Sequence, residues 1–363
     1  MDQYVRTAAE PEKAVQFTGN WREYLPIAAS NALLIIVTLG IYRFWAAARQ
    51  RRYLWSRTEL INDPLEWTGT GKEMFIGFLM VMAVMMPFFL FFQFLLPALA
   101  ARGLGLAAGL VLILFYVALI YLGGFARFRA LRYRLSRSWW RGIRGGSNDP
   151  GWNYGGEYLG RTFLTSMTWG IAWPWQACHL WNGRWNQMSF GQQSFEIALD
   201  ADGLKARWFA IYLAPIGGLL VVGLIGVLVG MTVGQMENPA AQASLGALAF
   251  VAIIAIYLII PLAMLNWYAA FYRKAASEMR LGDLAFGFDA TTWQWLKLWL
   301  GNIALAVLTL GFGLTYWGYR NWSFMVRHLH VYGQIDVSMM QQSTTHAPKE
   351  AEGFADAFDI GAI

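Results

Sequence analysis

Charged side chains are scarce in this chain: Asp, Glu, Lys and Arg make up 14% of its 363 residues, against 57% hydrophobic ones. A soluble domain carries about a quarter charged residues, so a water-soluble globule is excluded on composition. Cysteine is nearly absent. The single Cys178 rules out an internal disulfide and any cysteine-cluster metal site. The first 24 residues contain no apolar run and mix Arg6, Glu10, Glu12, Lys13, Arg22 and Glu23, so no cleavable signal peptide is expected. Acidic residues are missing where a coupled pump would need them: none lies within the long apolar stretches. Phosphate-loop and dinucleotide patterns are missing as well, and no nucleophile, base and orienter converge. No catalytic residue, cofactor or metal site is expected, and the chain does not read as an enzyme.

What is present is a set of charge-free runs. Met74 to Ala101, Gly103 to Ala126, Trp208 to Met236 and Asn238 to Tyr272 contain no charged side chain. Each exceeds the roughly 20 apolar residues with which a helix crosses a bilayer. They form two hairpins with tips near Arg102 and near Glu237 to Ser244. Of the 28 Lys and Arg residues, Arg102 alone falls in a tip. By the positive-inside rule the tips face away from the cytoplasm, and both termini are cytoplasmic in a bacterial inner membrane.

Three weaker apolar stretches, Tyr24 to Tyr42, Thr162 to Cys178 and Leu298 to Tyr319, share a pattern. Thr38-Leu39-Gly40, Thr168-Trp169-Gly170 and Thr309-Leu310-Gly311 stand at corresponding places. Seven residues before each Thr come Asn31, Arg161 and Asn302; seven after come Trp45, Trp175 and Tyr316; eleven after come Arg49, His179 and Arg320. The Gly positions suit a left-handed helix end, and Trp173-Pro174-Trp175 reads as the opening of a second helix, with Phe44 to Leu60 its counterpart in the first unit. The expected fold is therefore all-α and polytopic, with two transmembrane hairpins interleaved with three repeated re-entrant or interfacial units. The alternative is seven spanning helices. The corresponding segments are 1–72 (N-terminal segment and first unit), 73–126 (first hairpin), 127–207 (basic segment and second unit), 208–272 (second hairpin), 273–342 (third unit) and 343–363 (flexible tail).

Two residue sets are candidates for function. Asn31, Thr38, Trp45 and Arg49, and likewise Asn302, Thr309, Tyr316 and Arg320, are spaced by 7, 7 and 4. On a continuous helix that spacing keeps them near one face, as a polar stripe lining a solute path or holding a headgroup, or as helix-packing contacts. Arg127, Arg129, Arg132, Arg134, Arg137, Arg141 and Arg144, with Trp139 and Trp140 among them, form the densest basic segment, suited to anionic lipid or to enforcing topology. His328 and His330, and the Cys178-His179 pair, are weighed and set aside as metal site and dyad. Two functions follow: a small-solute channel or facilitative transporter, or a lipid-interacting scaffold that grips the inner leaflet. Membrane lipids, anionic ones foremost, are the expected partners. Nucleic acid is not, and a homo-oligomer or membrane partner stays open.

The phrase from Asn31 to Tyr53, together with Trp140-Arg141-Gly142-Ile143-Arg144, Thr168 to Trp175, and Asn302 to Gly311 followed by Gly333-Gln334-Ile335-Asp336, resembles the motifs of the YjgN family. That is a bacterial family of membrane proteins classed as a domain of unknown function. The resemblance covers roughly residues 15 to 342. It implies a multi-pass inner-membrane location and supplies no activity. Phe44 and Thr315 stand where the family often places proline.

Overall fold

The computed structural model describes residues 14–233, 239–333 and 341–345. The chain begins with β1 (Val15–Phe17), α1 (Trp21–Val37), α2 (Arg43–Ser56), β2 (Thr58–Leu60), β3 (Asp63–Pro64) and β4 (Glu66–Trp67). A long helical hairpin follows. It comprises α3 (Gly71–Leu90), a π-helical turn (Phe91–Leu95), α4 (Leu96–Ala101) and α5 (Gly105–Arg137). Then come β5 (Ser138–Trp140), β6 (Ile143–Gly146), α6 (Trp152–Met167), α7 (Trp173–Trp185), β7 (Ser189–Phe190) and β8 (Gln193–Ile197). A second long pair, α8 (Lys205–Val233) and α9 (Pro239–Ser277), leads to β9 (Met279–Leu281), β10 (Leu284–Phe288), α10 (Thr292–Leu308), α11 (Leu314–His328) and β11 (Leu329–Tyr332).

Among the described residues three helical runs are long and apolar enough to cross a membrane: Gly71–Ala101, Gly105–Arg137 and Lys205–Leu224. They match three of the four expected spans. The fourth falls on α9, and Asn238 and many of the α9 side chains lie outside the described residues. The π turn has a local cause. Pro97 lacks an N–H and its ring would clash with the carbonyl four residues back, and one extra residue in the turn relieves this.

The all-α expectation is overturned. Although the chain is mostly helical, strands β4 to β11 form one antiparallel sheet in sequence order, and β1, β2 and β3 form a second. The two sheets nearly continue one another, since only Leu65 separates β3 from β4, and β1 comes alongside β11. The strands are two to five residues long, too short for the alternation that marks a strand in sequence. Their signal is in the turns. β2–β3, β5–β6, β7–β8 and β9–β10 are each joined by two residues, and the first, Ile61, Arg141, Gly191 or Gly282, has a positive φ. Ile61-Asn62 and Arg141-Gly142 are positive at both positions, as tight hairpins require.

None of the three weaker stretches is a single helix. Each folds back as a short helical hairpin. In the first unit the second helix stops at Ser56 and gives way to β2, short of the Leu60 expected from the sequence.

An aromatic core joins the first and third units. Tyr24 stacks on Tyr319 with ring centroids 5.0 Å apart, and Trp55 stacks on Trp322 at 4.1 Å, so the first unit packs on the third. Cross-bonds accompany the rings: the Tyr24 hydroxyl donates to Thr315 O at 3.1 Å, and the Tyr319 hydroxyl to Gly19 O at 2.9 Å. Burial between these rings pushes the Tyr316 hydroxyl up to about 12 and raises Tyr24 further. Elsewhere, the sheet face that carries Phe195, Leu281, Phe286 and Val331 is covered by Phe128, Leu131, Tyr154 and Leu180 from the helices.

α5 and α6 meet at two glycines. A Cβ on Gly124 would collide with Tyr158, and one on Gly155 would press on Tyr121 at 3.1 Å. Close approach of this kind is what small residues permit between helices. Gly124→Val is therefore expected to cost about 1–3 kcal/mol by overpacking, read as a lower melting temperature in detergent. Gly156→Ala, at a position facing open space, should leave the melt unchanged or raise it slightly.

Candidate functional site

The three hairpin tips share one backbone. Leu39, Trp169 and Leu310 have φ of 51°, 53° and 50°, and the glycines after them 92°, 86° and 92°. Gly40 N donates to Ile35 O (2.7 Å), Gly170 N to Thr165 O (2.7 Å) and Gly311 N to Ala306 O (2.8 Å), the six-to-one bond of a Schellman helix end. Each threonine then bridges the two helices. Thr38 Oγ1 donates to Leu34 O at 2.7 Å and accepts from Tyr42 N at 2.9 Å. Thr168 Oγ1 does the same with Leu164 O (3.1 Å) and Ala172 N (3.2 Å), and Thr309 Oγ1 with Leu305 O (2.6 Å) and Gly313 N (2.7 Å). The Thr hydroxyls are thus spent in the turn.

The continuous face on which the polar stripe was drawn does not exist, since α1 ends at Val37 and α10 at Leu308. Across the fold the residues meet differently. Asn31, 1% exposed, donates from Nδ2 to Ala46 O at 3.4 Å, and Arg49 Nη1 donates to Ser30 Oγ at 2.9 Å. Trp45 stacks on Tyr42 and meets Phe75 at a tilt. In the third unit Asn302 Nδ2 donates to Asn321 Oδ1 at 2.8 Å, and Trp317 Nε1 to Asn302 O at 3.0 Å. Tyr316 joins the ring cluster around Tyr24, and Arg320 lies against Gly301. The second unit departs: Arg161 Nη2 lies 3.4 Å from His179 Nδ1, whose other nitrogen lies 3.4 Å from Glu157.

The basic segment is largely consumed within the protein. Arg127 bonds the Tyr158 hydroxyl and lies over its ring. Arg129 Nε donates to Pro150 O at 2.9 Å and Arg132 Nη1 to Asp149 O at 2.8 Å. Arg137 pairs with Glu73 at 3.1 Å, Arg141 with Asp63, and Arg144 with Thr345 O. Arg134 is also engaged. The sequence treats these seven as an open array because their partners are tens of residues away. The segment 341–345 is part of this arrangement. Gln342 Nε2 donates to Gly142 O at 2.7 Å, Gln342 Oε1 accepts from Arg144 N at 3.2 Å, and Ser343 is buried. The first three residues of the expected flexible tail, 343–345, are therefore held against the β5–β6 turn, and the rest lies outside the described residues.

Two residues that the sequence did not single out hold the second tip. Trp208 Nε1 donates to Gly170 O and the Tyr212 hydroxyl to Trp169 O, both at 2.9 Å. Both stand within the first two turns of α8. The set-aside residues have ordinary partners: His330 Nε2 lies 3.1 Å from Asp289, and His328 Nδ1 lies 2.8 Å from Phe324 O. Among the described residues no group of three His, Cys, Asp or Glu could hold a metal ion. Two of the cavities among the described residues are of a size to hold a small group. One, of about 270 Å³, lies between α10 and α11, lined by Trp295, Trp299, Asn302, Trp317, Asn321 and Phe324 among others. The other, of about 420 Å³, lies between Pro87, Phe91, Phe92, Leu114 and Phe115 of the first long hairpin and is almost wholly apolar.

Cys178 is buried, with Sγ donating to Asp200 O at 3.3 Å, and burial pushes its thiol up to about 11. The thiolate is the reactive form. Native Cys178 should alkylate slowly at pH 8 and progressively faster toward pH 11, whereas the unfolded chain should react near pH 9; iodoacetamide labelling followed by mass spectrometry checks this. Thr38→Val, Thr168→Val and Thr309→Val should each cost about 1 kcal/mol by leaving the next helix's N–H without its acceptor, with the Ser variants near wild type on thermal unfolding.

Similarity to known proteins agrees with the membrane helices. "Inner membrane protein YjgN" of Salmonella typhimurium is 40% identical over 68 residues, which are 19% of this chain and 17% of the relative. The protein of the same name from Escherichia coli (strain K12) is 28% identical over 144 residues, 40% of this chain and 33% of the relative. The chain thus aligns to a third or less of the length of these relatives. No solved structure matches. A match to the family described as "Bacterial protein of unknown function (DUF898)" runs over residues 12–357, and the chain, an inner membrane protein, belongs to that family.

Proposed function

We propose that this is a lipid-interacting protein whose three short hairpins are copies of one unit, dipping tip-first into the cytoplasmic leaflet, with both termini on the cytoplasmic side. The observation that carries the reading is the apex of each hairpin. Leu39, Trp169 and Leu310 are 94%, 88% and 91% exposed. Each is a large apolar residue held at positive φ, a conformation costing on the order of 1–3 kcal/mol, and backbone outliers of this kind concentrate at functional positions. In water both features are unfavourable, whereas in lipid the exposed surface becomes favourable by about 25 cal/mol per Å². The flanks agree, since Val37, Met167, Val307 and Leu308 are 70%, 67%, 67% and 83% exposed. So does the depth: the second tip is tied to Trp208 and Tyr212, and seven residues along α8 from Lys205 is about 10 Å, a third of a bilayer core.

A solute path has less support. The threonines of the stripe are engaged in turns, its asparagines in interhelical contacts, and one face of the sheet is packed with Phe128, Leu131 and Tyr154.

Spin labels at positions 39, 169 and 310, placed singly in a Cys178→Ser background and reconstituted in liposomes, test the reading. Relaxation by oxygen should dominate at all three positions, with little relaxation by a water-soluble nickel chelate. Strong nickel relaxation at the tips would show them standing in water and end the proposal.

A further inference from the structure

The cavity between α10 and α11 has features that no part of the fold uses. Asn302 is 5% exposed, yet its Oδ1 has no hydrogen-bond partner. The Trp295 indole N–H, on the same helix two turns earlier, is also buried and without a partner. Both residues line the cavity. Buried polar groups are usually satisfied, so an unpartnered acceptor and an unpartnered donor on two side chains that line one cavity suit a ligand that supplies both partners. Asn31 offers a contrast. Its Oδ1 is equally buried and unpartnered at the corresponding place in the first unit, but it does not line this cavity.

The lining specifies the ligand. None of the nine lining side chains is charged, and a charge brought in unpaired would be strongly disfavoured, which excludes a phosphate headgroup. Trp295, Trp299, Trp317 and Phe324 give broad apolar walls. At about 270 Å³ the space sits at the low end for ligand pockets, so only a small group is enclosed and any tail stays outside. The rim residues Trp299 and Ile303 are 55% and 45% exposed on the helix that runs to the apolar tip at Leu310. If that tip lies in lipid, as proposed above, the mouth opens to the bilayer.

We infer that this cavity binds an uncharged glycerolipid carrying a free hydroxyl beside an ester carbonyl, the hydroxyl donating to Asn302 Oδ1 and the carbonyl accepting from Trp295 Nε1. The entry route rests on the bilayer reading; the pairing itself does not.

The test uses the full-length protein in detergent with a short-chain probe, so that binding is measured whether or not the tips enter lipid. 1,2-Dioctanoylglycerol should be retained in native mass spectra and should bind by calorimetry. Trioctanoylglycerol, which lacks the hydroxyl, and dioctanoyl phosphatidic acid, which adds charge, should bind at least about tenfold more weakly, the equivalent of one buried hydrogen bond. Asn302→Leu and Trp295→Phe should each weaken the diacylglycerol by about tenfold, while Asn31→Leu leaves it unchanged. A conserved melting temperature in each variant separates loss of the site from loss of the fold, and Asn302→Ala, which also removes the acceptor, serves where the Leu variant does not fold. Equal binding of the three probes, or diacylglycerol binding that Trp295→Phe and the Asn302 variants leave untouched, would overturn the inference. Binding that obeys these rules while the spin-labelled tips prove wet would keep the site and discard the membrane entry route.

Discussion

The antiparallel strand ladder is the constraint on which the rest of the molecule depends. Four of the five helical hairpins among the described residues start and finish at a strand of it, and the first, α1–α2, does so at β1 and β2 of the smaller sheet. The ladder pairs β4 with β5, β6 with β7, β8 with β9 and β10 with β11, so each pairing ties the start of one helical hairpin to its end. Backbone hydrogen bonds thereby fix the spacing of these helices' ends, which apolar contacts between helices in lipid could not do with the same precision, because lipid tails compete for the same surface. The tight turns at Ile61, Arg141, Gly191 and Gly282 make this possible by returning the chain within two residues.

On this frame the charge distribution acquires a second meaning. Arginines that look from the sequence like a basic surface act as connectors: Arg137 ties α5 to Glu73 of α3, and Arg141 ties the β5–β6 turn to Asp63 of β3. Both pairs link segments more than 60 residues apart. Such partly exposed pairs contribute little energy each, and their value lies in orienting the ends of the long hairpin. Burial lowers the affinity of Arg184 and Arg144 for protons without making them neutral, because guanidinium groups hold their charge far above neutrality.

Much of the fold was legible. Charge-free runs located the long helices, and Thr-X-Gly located three turns that share one backbone geometry. The rest was hidden for physical reasons. Strands of two to five residues carry no periodicity, and only pairs such as Arg141-Gly142 and Gly282-Asp283 hinted at them. The polar stripe was drawn through a turn because a spacing of 7, 7 and 4 is compatible with helix whether or not the helix continues. Asn321, which completes the cavity of the third unit, carries no local signal: it becomes a neighbour of Asn302 only when α11 folds back on α10.

The contact between the first and third units has a temporal side. Tyr24 bonds to Thr315, 291 residues later in the chain. A ribosome adding about 5–20 residues per second covers that distance in about 15–60 s. Over that interval the face of α1 that will meet Tyr319 has no native partner, while the long hairpins are already being made. The aromatic seam therefore waits for the last of the described helices, α11, to reach back to the first.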